Sequence, residues 1–208
     1  METASKLGPV EKLLEEIRDC EDCKIQQRRI PVVYGTTDSR ILVISEVPPK
    51  PAWDDGLGEK WRRTIKVPGW EGGVVHEFCK WLNIVEDVDS LVFWIQRANC
   101  CAETGQGYVL HHCSYKFIPS DIQAVKPRLV ITLGHLAAQH FLQLNNLSDV
   151  VGRKFEFKEV SVQYTLVPMF HPSRANKASM KEFKQIHEES MKAARPFIDE
   201  AKRTVIPR

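Results

Sequence analysis

The chain has no long apolar run. Its longest, such as Leu91-Val92-Phe93-Trp94-Ile95, is about five residues, against the roughly 20 that a membrane-spanning helix needs, so no membrane span is expected. It also lacks an excess of either charge. The 29 Lys plus Arg against 27 Asp plus Glu leave a formal net charge of +2, which excludes a histone-like polycation. An apolar leader is missing too, because Glu11, Lys12, Glu15, Glu16 and Arg18 interrupt residues 1–20 and no secretory h-region can be drawn there. The expected place is the cytoplasm, in association with the nucleoid. What is present is an ordinary globular composition, 43% hydrophobic and 27% charged over 208 residues. That is enough for a full core and for one large domain spanning residues 1–208.

Periodicity orders the elements. Leu7, Val10, Leu13, Leu14 and Ile17 recur at three- and four-residue intervals, the stripe of an amphipathic helix over residues 6–19 that runs into Cys20. Four short runs rich in β-branched and aromatic residues follow, at 41–44, 91–95, 129–133 and 164–167. Unbroken apolar runs of this kind suit strands buried on both faces. Helical patterns separate them: Val74, Val75, Phe78, Trp81 and Leu82, then Ile118, Ile122 and Val125, then Leu136, Ala137, His140, Phe141 and Leu144. Residues 154–162 read as a short hairpin, and 179–202 as a closing helix with Met180, Phe183, Ile186 and Met191 on one side.

Strands alternating with helices predict an α/β fold, a three-layer α/β/α sandwich with a central, mostly parallel four-stranded sheet. In such a sheet, ligands bind beyond the carboxyl ends of the strands. There the segments Ser45-Glu46-Val47-Pro48-Pro49, Gln96-Arg97-Ala98-Asn99, Gly134-His135 and Pro168-Met169-Phe170-His171-Pro172-Ser173 converge on one rim.

Six cysteines stand at positions 20, 23, 79, 100, 101 and 113. An even count permits three disulfides, but the chain is neither small nor read as secreted, and in a reducing compartment clustered cysteines more often hold metal. Cys20-Glu21-Asp22-Cys23 has the two-residue spacing that lets two thiolates reach one metal centre from a single turn. Cys100 or Cys101 pairs with Cys113 around a loop of about a dozen residues, too long for the tight second knuckle of a zinc ribbon and better suited to wrapping an iron–sulfur cluster. Zinc at the same ligands, or independent buried thiols, are the alternatives. Cys79, among Val75, Phe78 and Leu82 on a helical face, is expected to pack in the core.

An early Cys-x-x-Cys, a strand ending in a Glu-x-Pro turn, a cysteine after the second strand, another before a helix, a strand ending Leu-Gly, and a last strand ending His-Pro-Ser occur in that order. The set resembles the uracil-DNA glycosylase superfamily, most nearly its iron–sulfur branch, family four, over roughly residues 10–195. Ser45-Glu46-Val47-Pro48-Pro49 looks like the family's Gly-Glu-Ala-Pro-Gly segment and Phe170-His171-Pro172-Ser173 like its closing His-Pro-Ser motif. Residues 129–138 look like its strand, Leu-Gly turn and Ala-rich helix.

The resemblance implies a DNA repair glycosylase, a monomer acting on DNA that contains uracil or another damaged or deaminated base. It implies a 4Fe-4S cluster, with zinc the lesser candidate, on Cys20, Cys23, Cys113 and one of Cys100 and Cys101. It gives His171 a hydrogen bond to the base oxygen where negative charge gathers, and Glu46 the attacking water. The base pocket would take Val47 from the first turn and Trp70, or Trp53, as its stacking ring. The base-reading position falls on Arg97 when Cys101 is matched and on Gln96 when Cys100 is matched. Gln96 is preferred, because an amide both donates and accepts. Expected DNA contacts are Arg62, Arg63, Ser173, Arg174 and Lys177, in or beside basic stretches that include nine Lys or Arg against five Asp or Glu over residues 174–208.

The chain departs from the family at Ser45 and Pro49, where the family has Gly, and Pro49 removes a backbone N–H. Val67, in Lys66-Val67-Pro68-Gly69, stands where a stacking Phe is usual, and Arg174-Ala175-Asn176-Lys177 replaces leucines that wedge into the duplex. These departures define a rival expectation, a non-catalytic iron–sulfur nucleic-acid-binding protein of the same fold. A zinc-stabilised α/β nucleotide-binding protein is the second rival.

Overall fold

The computed structural model describes residues 8–20, 34–35, 38–46, 74–97, 107–159, 161–172 and 183–204. Helix α1 (Pro9–Arg18) is followed by β1 (Tyr34–Gly35), β2 (Ile41–Ser45), α2 (Val74–Leu82), α3 (Val88–Leu91), β3 (Val92–Gln96) and α4 (Gly107–Val125). Then come β4 (Leu129–Leu133), α5 (His135–Gln139), a 3-10 turn at Leu147–Asp149, β5 (Phe155–Glu159), β6 (Val162–Met169) and α6 (Phe183–Thr204). Among the described residues, no helix is long and apolar enough to cross a membrane.

The sheet runs β1-β3-β2-β4-β6-β5. Its inner four strands are mutually parallel, as the four apolar runs predict. The expected count of four rises to six because an antiparallel strand closes each edge. One is β5, which pairs with β6; the hairpin expected within residues 154–162 is corrected, because that stretch supplies a single strand whose partner is the fourth apolar run, extended back to Val162. The other, β1, has two residues and so carries no periodic signal. Its Gly35 has φ +99°, and a Cβ there would lie 1.8 Å from the Val92 carbonyl oxygen, so only glycine fits this approach.

Every residue of β2, β3 and β4 is buried, and successive residues enter different cores, as the two-residue strand period requires. Val43, Trp94, Ile131 and Val167 meet Phe78, Cys79 and Leu82 of α2 and Ala194 and Ile198 of α6. Ile44, Phe93, Ile95, Val130 and Leu166 meet Ile118, Ile122 and Val125 of α4 and Ala137 of α5. Two cores on opposite faces make the three layers. Cys79 is fully buried in the first of them, in the packing role expected for it.

Two helical readings are corrected. The pattern at residues 118–125 belongs to a helix that begins at Gly107, and it tolerates Pro119 inside it. The pattern at 136–144 yields a helix only as far as Gln139, after which the Phe141 N–H makes a tighter three-residue turn onto the Ala138 carbonyl. That turn packs the Phe141 and Leu142 side chains on the α4 core.

Helix α4 also buries an acid. Asp121 is 2% exposed, and its Oδ2 has no partner among the described residues. Burial, and the nearby Cys113, hold its carboxyl well above the usual carboxylate range. The native chain thus binds this proton more tightly than the unfolded chain. The group's stabilising contribution is complete below the ordinary value of 3.8 and is lost as pH rises toward the folded value. Asp121→Asn is expected to gain on the parent by up to ~1.4 kcal/mol per pH unit across that window, and to gain nothing at its acid end. Urea unfolding over a pH series measures this.

Candidate active site

Parallel register brings the four strand ends together. Ser45 pairs with Gln96, Ile44 with Thr132, and Leu133 with Met169. The residues that follow, Glu46, Arg97, His135 and His171, therefore leave the sheet at its carboxyl rim. Two backbone bonds tighten the rim: Arg97 N–H donates to the Ser45 carbonyl at 2.7 Å, and Gly134 N–H to the Met169 carbonyl at 3.0 Å. Gly134 has φ +94°, and a Cβ there would sit 3.7 Å from His171 Cβ. The Leu-Gly turn thus sets His135 and the approach to His171 in one step.

Trp94, Ser45 and Gln96 form a hydrogen-bonded chain. The Trp94 indole Nε1 donates to Ser45 Oγ at 2.9 Å, and Ser45 Oγ donates to Gln96 Oε1. The geometry follows from the strands: Trp94 and Gln96 are two residues apart on one face, and Ser45 is the register partner of Gln96. The expected base-reading amide is therefore buried, with its oxygen already engaged by the serine that stands in the family's glycine position. Ser45→Ala strands an indole N–H and an amide oxygen together, and is expected to cost about 1–3 kcal/mol in urea unfolding.

Glu46 and Arg97 leave on the other face, toward α4. Burial raises the Glu46 carboxyl, while the charges of Arg97 and His135 pull it back down. Burial alone lowers the His171 imidazole, which favours its neutral form. Arg97 is 2% exposed, and its Nε has no partner among the described residues. Among the described residues, its charged or titratable neighbours are Glu46, Tyr115 and Cys113. His135 had no role assigned from sequence. Its place directly after the Leu-Gly turn was the available signal, and only the fold brings it to the same rim as Glu46.

The cysteines are partly in view. Cys20, just past α1, and Cys113, on α4, share one buried cluster with Leu13, Ile17 and Phe117. The Lys116 Nζ donates to Cys20 Sγ at 3.3 Å and lies 5.2 Å from the Phe117 ring centroid. Two buried sulfurs brought together from distant segments, one receiving a cationic hydrogen bond, are a donor set suited to a soft metal centre. Among the described residues, no group of three or more His, Cys, Asp or Glu is placed to hold a metal ion. Cys23, Cys100 and Cys101 lie outside the described residues, as do Val47, Trp53, Trp70, Arg62, Arg63, Ser173, Arg174 and Lys177.

The sequence matches the family model described as the uracil DNA glycosylase superfamily over residues 32–195. That span contains all six strands and every residue of the carboxyl rim described above. A match over most of the chain, on a mostly parallel sheet with layered helices, shows that the chain belongs to the uracil DNA glycosylase superfamily.

Proposed function

We propose that this chain is a DNA repair glycosylase that hydrolyses the N-glycosidic bond of uracil or another deaminated base. The observation that carries the reading is the placement of Glu46 and His171 on one rim, at the ends of β2 and β6, in a chain of this superfamily. As the bond breaks, its electron pair leaves with the base, and negative charge gathers on the base oxygen. His171, favoured neutral by burial, donates a hydrogen bond to that oxygen. Glu46 orients the water whose oxygen bonds to the sugar carbon, takes its proton, and favours the cationic sugar. An abasic site and free base result.

The buried pair Cys20 and Cys113 supports a 4Fe-4S cluster completed by Cys23 and one of Cys100 and Cys101. When bound, the cluster would supply a structural cross-link of α1 to α4; the hydrolysis needs no electron transfer. Purified protein is expected to carry about four irons and matching sulfide per chain with visible absorption, and Cys113→Ala to lose both. Zinc without iron would sink this assignment.

Incubation with oligonucleotides carrying uracil, hypoxanthine, xanthine or mismatched thymine, followed by alkaline cleavage, tests the activity. The engaged oxygen of Gln96 favours a second reading, in which the protein binds such DNA as a monomer without excising the base. Binding without cleavage on every substrate, with the metal centre intact, would establish that reading and end the first.

A further inference from the structure

We propose that the amino-terminal end of the sheet, opposite the candidate active site, carries a docking cleft for one carboxylate, presented by an acidic segment of a partner protein. The cleft holds about 140 Å³ and is lined by Arg40, Arg128, Phe197, Glu200, Ala201 and Thr204. Arg40 and Arg128 stand immediately before β2 and β4, and the pairing of Ile41 with Leu129 makes them neighbours. Their backbones are tied together. The N–H groups of Arg128 and Leu129 both donate to the Arg40 carbonyl, at 2.8 and 3.1 Å, and the Thr165 N–H donates to the Arg128 carbonyl at 3.0 Å. Phe197, Ala201 and Thr204 recur at three- and four-residue intervals on α6 and share one helix face, which forms the opposite wall.

The charge in the cleft is unbalanced. Two guanidinium groups face one carboxylate, so one positive charge is in excess. Arg128 is ion-paired with Glu200; Arg40 has no ion-pair partner among the described residues. The pair of Arg128 with Glu200 displays the chemistry this cleft accepts, a carboxylate on a guanidinium. The fork of the second arginine fits a second carboxylate through two parallel hydrogen bonds. Phe197 and Ala201 exclude water from one side, which strengthens such a pair.

Size selects the occupant. Small-molecule pockets run from ~300 Å³ upward, and a water takes ~30 Å³ of liquid volume. A cleft of about 140 Å³ therefore admits a group of a few heavy atoms and not a nucleotide, and the rest of the molecule bearing that group lies outside. A nucleic-acid strand repeats its charge and needs a basic track to follow. Here Asp38, two residues before Arg40, and Asp199, beside Glu200, interrupt one. Strands β2 and β4, of five residues each, keep the cleft roughly 15 Å from the carboxyl rim. An occupant leaves that rim open, and the inference does not rest on the glycosylase reading.

The test is an NMR titration of the full-length protein that follows the Arg40 Nε–H, assigned by its loss in Arg40→Met, and the Ala201 amide. The probe is the capped peptide acetyl-Gly-Asp-Glu-Asp-Gly-amide. Its Asn and Gln counterpart is the uncharged control, and a thymidine dinucleotide and inorganic phosphate are the phosphate arms. A saturable shift with a Kd of about 1 mM or tighter is expected for the acidic peptide alone. Arg40 is exposed, and Arg40→Met should weaken binding about tenfold or more. Glu200→Gln frees Arg128 and should tighten binding about threefold, a gain that a folding defect does not produce. Lys154→Met removes an exposed positive charge elsewhere and should change nothing. The absence of a saturable shift overturns the proposal, as does equal weakening in Lys154→Met and Arg40→Met. Tighter binding of either phosphate arm than of the acidic peptide also overturns it, in favour of a phosphate ligand.

Discussion

Replacing His171 with Ala is expected to slow base excision by about a hundred- to a thousandfold, the usual loss when one positioned donor to a developing oxyanion is removed. Glu46→Gln should fall in the same range. The two variants differ in their response to pH. Glu46 titrates above its ordinary value of 4.5 because of burial, so the rate should fall on acidification sooner than for a solvated glutamate. His171 titrates below its ordinary 6.5 for the same cause, so its neutral donor form persists into mildly acidic solution. His171→Ala should keep the Glu46 limb at a lower ceiling, and Glu46→Gln should flatten it. Single-turnover excision across a pH series reads both effects. Unchanged rates in both variants would show that neither side chain acts on the substrate.

The second large effect lies in the core beneath the site. Trp94→Ala is expected to cost about 3–5 kcal/mol, a substantial part of the 5–15 kcal/mol typical of a domain, measured by urea unfolding. The indole is 2% exposed and meets the Phe78 ring edge-on at 5.3 Å. Its N–H holds Ser45, and through Ser45 the Gln96 amide. Trp94→Phe separates these roles. It keeps most of the packing and removes only the donor, so it should cost roughly 1 kcal/mol while releasing the amide at the rim. A Trp94→Phe variant as unstable as Trp94→Ala would place most of the effect in the hydrogen bond.

The parallel centre was legible in the sequence because strands buried on both faces are mostly apolar, β-branched and aromatic, and β2, β3, β4 and β6 all show it, with the β-branched Thr132 and Thr165 as buried polar members. The rim followed from the rule that such strands point their carboxyl ends one way, which places Glu46 and His171 without any contact map. Gly35 and Gly134 were not legible as structural devices, since a positive φ leaves no mark beyond the residue type. The Ser45, Gln96 and Trp94 chain was hidden for a different reason. Its members are 49 and 51 residues apart in sequence, and only strand register makes them neighbours. Hydrogen-bonding capacity alone therefore compares Gln96 with Arg97 without the alternation that sends one to each side of the sheet.

The position of β2 between β3 and β4 has a cost during synthesis. Ile41-Leu42-Val43-Ile44 is made before both of its partners, and its second edge stays open until Leu133 has been added. At ordinary elongation rates that interval is on the order of 5–20 seconds. An apolar, β-branched segment with two open edges is a template for pairing with other nascent chains. Arg40 and Glu46 bracket it, one charge at each end, the arrangement that discourages such pairing. Glu46 thus guards the strand before there is a site for it to serve, and preparations lacking its charge should yield less soluble protein even where the finished fold is sound.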